Sequence, residues 1–248
     1  MDTRYLQNRI YITAEEQSKI KTTRILLGGA GIGSVIAECS LRLGFERFTL
    51  IDNEIVKLSD LNRHNYTNAD VGKFRVVALK QRLEEINPSV QISIDTLTTE
   101  NIGKTVVGHD IAINAIEFKS DTPFKFDEVC KKYDIPVIHP YNLGWAGLAT
   151  IVDSTGKQIC DFSNDWKAFD VNLLKYITSY YRYWGGPQMW LENVLKYIDA
   201  DNKIDYLPQL SISSWITGGL VAKLLFDIVT GEKYKRFPKF YFLSSKCL

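Results

Sequence analysis

Along this chain short apolar runs alternate with longer stretches in which apolar residues recur every three or four positions, the periods of strand and helix. The pattern predicts a strand at residues 24–27, a helix at 33–43 ended by Gly44, and a second strand at 47–51. A helix over 73–86, stopped at Asn87-Pro88, leads to a strand at 90–94, a short helix near Glu100 and a strand at 111–115. A helix at 124–132, a strand at 136–138 and a strand at 147–152 come next. Strands that alternate with helices make an α/β fold, a doubly wound, mostly parallel sheet with helices on both faces. Ahead of it, Thr13-Ala14-Glu15-Glu16 has the capping-box spacing of a helix running to about Lys21.

After Asp153-Ser154-Thr155-Gly156 the strand pattern fades, and residues 160–206 carry Trp166, Tyr176, Tyr180, Tyr181, Tyr183, Trp184 and Trp190. This segment reads as a helical insertion whose aromatics form core or dimer contacts rather than a substrate platform. A long helix at 212–230, closed by Gly231, and a strand at 240–243 complete the order. The whole, residues 1–248, reads as one domain with an N-terminal helical segment at 1–22 and the insertion at about 160–206.

Charge narrows the partners. With 30 basic and 29 acidic side chains in 248 residues, nothing draws the whole chain to nucleic acid or to an anionic membrane. The N-terminus has no apolar run of the signal-peptide kind, and charge interrupts the apolar run at residues 220–227, so a cytoplasmic protein is expected. Cys39, Cys130, Cys160 and Cys247 form no C-x-x-C pair, so reduced thiols and no zinc are expected. Cys39 falls inside a helical apolar pattern as a small hydrophobe, and Cys160 has no histidine near it in sequence to activate a thiolate.

The chemistry gathers at Gly28-Gly29-Ala30-Gly31-Ile32-Gly33, between the first strand and its helix, and at Asp52, where the second strand ends. Glycines let the backbone approach a phosphate, the helix start offers free amides, and an acid one strand later can hold ribose hydroxyls. Gly28, Ala30 and Gly33 fill the three places of G-x-G-x-x-G, with Gly31 between them. These features alone fit a nicotinamide-dependent dehydrogenase as well as an ATP site. The residues after Asp52 separate the two, because Ser59-Asp60-Leu61-Asn62-Arg63 and Gly72-Lys73-Phe74-Arg75 bring basic groups that a dehydrogenase does not explain.

In this ordered set of loop, acid and basic positions, the chain resembles the ThiF/MoeB/HesA family, whose Rossmann-like fold is ancestral to ubiquitin-activating enzymes. The resemblance runs from Arg4 to about residue 155 and returns in the final helix and strand. It implies Mg-ATP-dependent adenylation: a carboxylate, such as the C-terminus of a small ubiquitin-like or sulfur-carrier protein or a peptide, attacks the α-phosphorus and pyrophosphate leaves. By the same resemblance the segment from Gly28 to Gly33, with Ala30 and Gly31, admits the nucleotide, and Asp52 holds its ribose. Arg63 and Arg75, with Lys73 nearby, meet the phosphates, and Glu117 binds Mg²⁺. Arg9, in Arg4-Tyr5-Leu6-Gln7-Asn8-Arg9, takes the place of an arginine that reaches across a homodimer.

Four departures from the family pattern stand out. Asp60 replaces the asparagine of S-N-L-x-R, Arg75 the lysine of G-x-x-K, and Asn114 and Glu117 the aspartates of D-x-x-D-N. The fourth departure is cysteine: no zinc set is complete, and the segment at 206–211 before the final helix has none, so no thioester relay is expected. Of the histidines, His64 adjoins Arg63, whereas His109 and His139 read as strand-end structural residues. A non-catalytic subunit that keeps the fold for binding or heterodimer formation is the alternative.

Overall fold

A computed structural model describes residues 2–96, 102–200 and 207–246. Its seven-stranded sheet has the order β3-β2-β1-β4-β5-β6-β7. The strands are β1 (Arg24–Gly28), β2 (Arg47–Ile51), β3 (Gln91–Asp95), β4 (Ile111–Asn114), β5 (Val137–Asn142), β6 (Ala146–Val152) and β7 (Tyr241–Ser244). The first five are parallel, with Leu27 level with Leu50 on one side and with Ile113 on the other. β6 runs antiparallel to β5, since Leu143-Gly144-Trp145 between them is too short for a crossover and closes a hairpin instead, and β7 pairs antiparallel with β6.

Helix α1 (Ala14–Thr22) precedes β1, and α2 (Ile32–Leu43), α3 (Arg75–Ile86), α4 (Ile102–Val106) and α5 (Thr122–Lys132) connect the parallel strands. Glu100 lies outside the described residues, and α4 begins two residues after it. The capping box of α1 is present: Thr13 Oγ1 accepts from Glu16 N at 3.2 Å, and Thr13 N donates back to Glu16 Oε2 at 2.8 Å.

The aromatic-rich segment after β6 forms α6 (Ile159–Phe162), α7 (Phe169–Tyr183) and α8 (Met189–Ala200). It builds its own apolar cluster, in which Phe169, Leu173 and Ile177 meet Leu148 and Val152 of β6. Tyr176 and Tyr181 pack on Phe240 and Phe242, so these aromatics are core, while Tyr183 and Trp184 are exposed.

The last long helix, α9 (Ser211–Thr230), packs against α2 and the β5–β6 part of the sheet. By length and composition it could cross a membrane. Here Leu220, Val221, Leu224 and Leu225 enter the main core with Ile36 and Leu41, and each such side chain contributes about 1.5–3 kcal/mol. Close approach needs Gly218, where a Cβ would meet Val35 Cγ1 at 3.0 Å.

Candidate active site

β1 lies between β2 and β4, and the chain's connections leave it in opposite directions, which makes the C-terminal ends of β1 and β4 a switch point of the sheet. Crevices at such points are where open α/β sheets bind ligands. The cleft found there has a volume of about 260 Å³, and Gly29, Gly31, Asp52, Glu54, Arg75, Glu117 and Lys119 supply its functional lining.

The glycine loop shapes its floor. Gly29 has φ +88°, and a Cβ there would stand 2.2 Å from the Ala115 carbonyl oxygen, so no other residue fits. α2 starts at Gly31 without any side-chain cap, which leaves its first amides facing the loop. Tyr66 donates its hydroxyl to the Ala30 carbonyl at 2.6 Å, and Asn65 N bonds Ser34 Oγ at 3.0 Å. These contacts seat the segment carrying Asp60, Arg63 and His64 over the start of α2.

Asp52, at the end of β2, accepts the Ala30 N–H on one carboxylate oxygen and the Glu54 N–H on the other, both at 2.6 Å. Burial pushes its carboxyl up, and these amides counter only part of that. Each oxygen keeps a lone pair for a further donor.

α3 delivers Arg75 because a short antiparallel bridge, Ile55 with Phe74, ties its start to the loop after β2. The guanidinium is buried and donates to Asp60 Oδ2 from Nη2 at 2.9 Å and from Nε at 3.3 Å. Its Nη1 stands 3.8 Å from Asp52 and 3.7 Å from Glu117. Burial alone would raise the Asp60 carboxyl, but His64 at 3.6 Å, the Lys57 N–H and Arg75 hold it well below the usual carboxylate range.

On the β4 side, Lys119 Nζ lies 2.6 Å from Glu117 and 2.7 Å from Glu54. Glu54 is pushed down to about 2, first by the Lys119 bond, against some burial, and then by Lys57. Partial burial works to lower the Lys119 ammonium, and its two carboxylate partners outweigh it.

The structure therefore brings Gly31, Asp52, Arg75 and Glu117 of the sequence-selected residues to one cleft. Gly28 and Gly33 pack instead, their α-carbons close against Ile116 and Leu27. Arg63 turns away to Gln209, with Nε donating at 2.9 Å, and to the Ser59 carbonyl at 2.6 Å. Lys73 is exposed and pairs with Asp70 at 3.1 Å, and Arg9 is exposed after the N-terminal 3-10 turn. Neither lines the cleft. His109 bonds Thr49 Oγ1 at 2.8 Å, and His139 is buried 3.0 Å from Asp127. Cys160 is exposed, and Cys247 lies outside the described residues.

Sequence reasoning passed over Glu54 and Lys119. The available signal was spacing, since Glu54 stands two residues past the strand-end acid Asp52, and Lys119 two past Glu117.

Known proteins place this architecture. The chain is 30% identical over 160 residues to the tRNA threonylcarbamoyladenosine dehydratase of Haemophilus influenzae, covering 62% of this chain and 59% of that one. It is 30% identical over 129 residues to ubiquitin-like modifier-activating enzyme 5 of Caenorhabditis elegans, covering 52% of this chain and 30% of that one. It thus spans less than two thirds of the length of either relative. Its fold superposes on Escherichia coli MccB, solved with AMPCPP and MccA, at a TM-score of 0.69 and 16% identity, over 98% of this chain and 71% of that one. The ThiF family profile matches residues 5–246, nearly end to end, and the chain belongs to the ThiF family.

Proposed function

We propose that the chain binds Mg-ATP in the cleft and adenylates a carboxylate. A carboxylate oxygen of the substrate attacks the α-phosphorus, the bond from that phosphorus to the bridging oxygen breaks, and pyrophosphate leaves. The observation that carries this reading is the convergence of Gly29, Asp52, Arg75 and Glu117 on one switch-point crevice of a ThiF-family fold.

The cleft suits the nucleotide. Its glycine floor leaves room for phosphate against the uncapped start of α2, and Asp52 retains lone pairs for hydroxyl donors. Among the described residues no three His, Cys, Asp or Glu side chains form a metal cage. Mg²⁺ does not need such a cage, because it takes one or two carboxylates and fills its shell from phosphates and water. Glu117, half exposed on the cleft wall, is the residue to hold it. The metal would withdraw charge from the phosphates, while Arg75 and the α2 amides supply fixed positive potential where charge grows.

For the substrate we favour the C-terminus of a small protein or peptide. A ubiquitin-like-modifier-activating relative and the MccB complex with MccA support that class, and a formal net charge of +1 gives no pull toward nucleic acid. A homodimer and a cytoplasmic setting complete the proposal. The test is pyrophosphate release by the purified chain with Mg-ATP across candidate C-terminal peptides and small proteins. Substrate-dependent release is expected. Nucleotide binding without release from any candidate would instead favour a non-catalytic subunit.

A further inference from the structure

Arg75, although it stands where the family pattern has its lysine, is committed to Asp60. Among the described residues the other cation lining the cleft is Lys119, and its side chain is 59% exposed. Lys119 and Glu117 come after β4, whereas Glu54 comes after β2, and β1 with its glycine loop lies between those strands. The ammonium thus links the two walls of the cleft. With the bridge in place the cleft holds about 260 Å³, below the roughly 300–1,000 Å³ usual for small-molecule sites.

We propose that Lys119 is a phosphate-binding cation, held by Glu54 and Glu117 until the nucleotide's phosphates take their place. This rests on the reading of the cleft as an ATP site. The exchange is easy because exposed ion pairs are weak and screened, and a lysine stem is flexible enough to swing between acceptors. A polyphosphate offers the ammonium more negative charge than two carboxylates that have other partners: Glu54 keeps Lys57 at 3.1 Å, and Glu117 keeps Arg75 at 3.7 Å. Departure of Lys119 also uncovers Glu117 for the metal. Lys119 thereby adds, from the loop after β4, a mobile cation beside the buried Arg75, whose hydrogen bonds go to Asp60.

Titration calorimetry with ATP on the full chain tests this with Lys119→Met, Lys119→Arg and Glu54→Gln. Lys119→Met should weaken ATP binding about ten- to a hundredfold, as expected for loss of one charge-assisted bond. Lys119→Arg should restore most of it. Glu54→Gln removes the competing carboxylate and should tighten ATP binding. If Lys119→Met binds ATP like the wild type, the proposal fails. It fails equally if Glu54→Gln weakens binding as much as Lys119→Met, since Lys119 would then serve only as a strap between walls. Absence of ATP binding by the wild type would overturn the nucleotide reading itself, a result distinct from either.

Discussion

Arg75 donates two hydrogen bonds to a single oxygen of Asp60, at 2.9 and 3.3 Å, inside a pocket that leaves both side chains almost wholly buried. The two positions that depart from the asparagine and lysine of the family pattern therefore answer each other. The additional negative charge at Asp60 meets a guanidinium, whose planar fork reaches it where a lysine point charge would not.

Removing one partner of this pair strands the other. Asp60→Ala should cost about 3–5 kcal/mol, the usual penalty for an uncompensated buried charge. The double variant Asp60→Asn with Arg75→Lys should cost less than the sum of its two single changes, by at least about 1 kcal/mol. Urea denaturation of the wild type, the two single variants and the double variant gives the coupling directly. Strict additivity would show that the two residues do not depend on each other.

The glycine loop makes an unequal demand on its residues. Gly29→Ala forces a methyl group into the Ala115 carbonyl at a backbone angle that favours glycine, and should destabilise by at least about 2 kcal/mol and abolish ATP binding. Ala30→Gly, which fills the second motif place, should cost only about 0.5–1 kcal/mol through chain entropy and leave ATP binding intact. Thermal unfolding paired with ATP titration separates the two outcomes.

The legibility of the sequence tracked the range of the forces involved. Local signals survived well: the box of Thr13 and Glu16, the stop at Gly44 and the strand-loop-helix run around Gly28 all appear where the pattern puts them. The antiparallel turn to β6 was not legible in periodicity, which reports burial and not direction. At the site, Asp52 and Glu117 could be found because they follow strand ends in an ordered motif. The Asp60 partnership could not, because an ion pair between positions 15 residues apart depends on how the loop lies over α2. Arg63 shows the reverse case, a motif residue whose Nε hydrogen bond runs to Gln209, 146 positions away.

Cysteine chemistry provides a further check on the proposed reaction. Cys160 is exposed, but its thiol is pushed up by partial burial and by Asp161 and Asp127, so little thiolate is present near neutrality. Cys160→Ser should therefore leave pyrophosphate release unchanged, and iodoacetamide should label Cys160 more slowly than an unperturbed thiol at pH 7. Loss of turnover in the serine variant would point to a covalent step that the adenylation reading omits.

Asp170 gives stability a pH dependence of unusual sign. Burial at the start of α7, with the Glu117 carboxylate nearby, pushes its carboxyl up to about 6 from an ordinary 3.8. Because the folded chain holds this proton more tightly than the unfolded chain, the contribution favours folding below about pH 4 and is lost as pH rises through 6. A shift of this size corresponds to about 1–3 kcal/mol once relaxation of the site is allowed for. Asp170→Asn removes the ionisation and should stabilise the protein at pH 7, with the advantage over wild type vanishing near pH 4. Denaturation midpoints measured from pH 4 to 8 would show it, and a constant difference across that range would place the effect outside Asp170 ionisation.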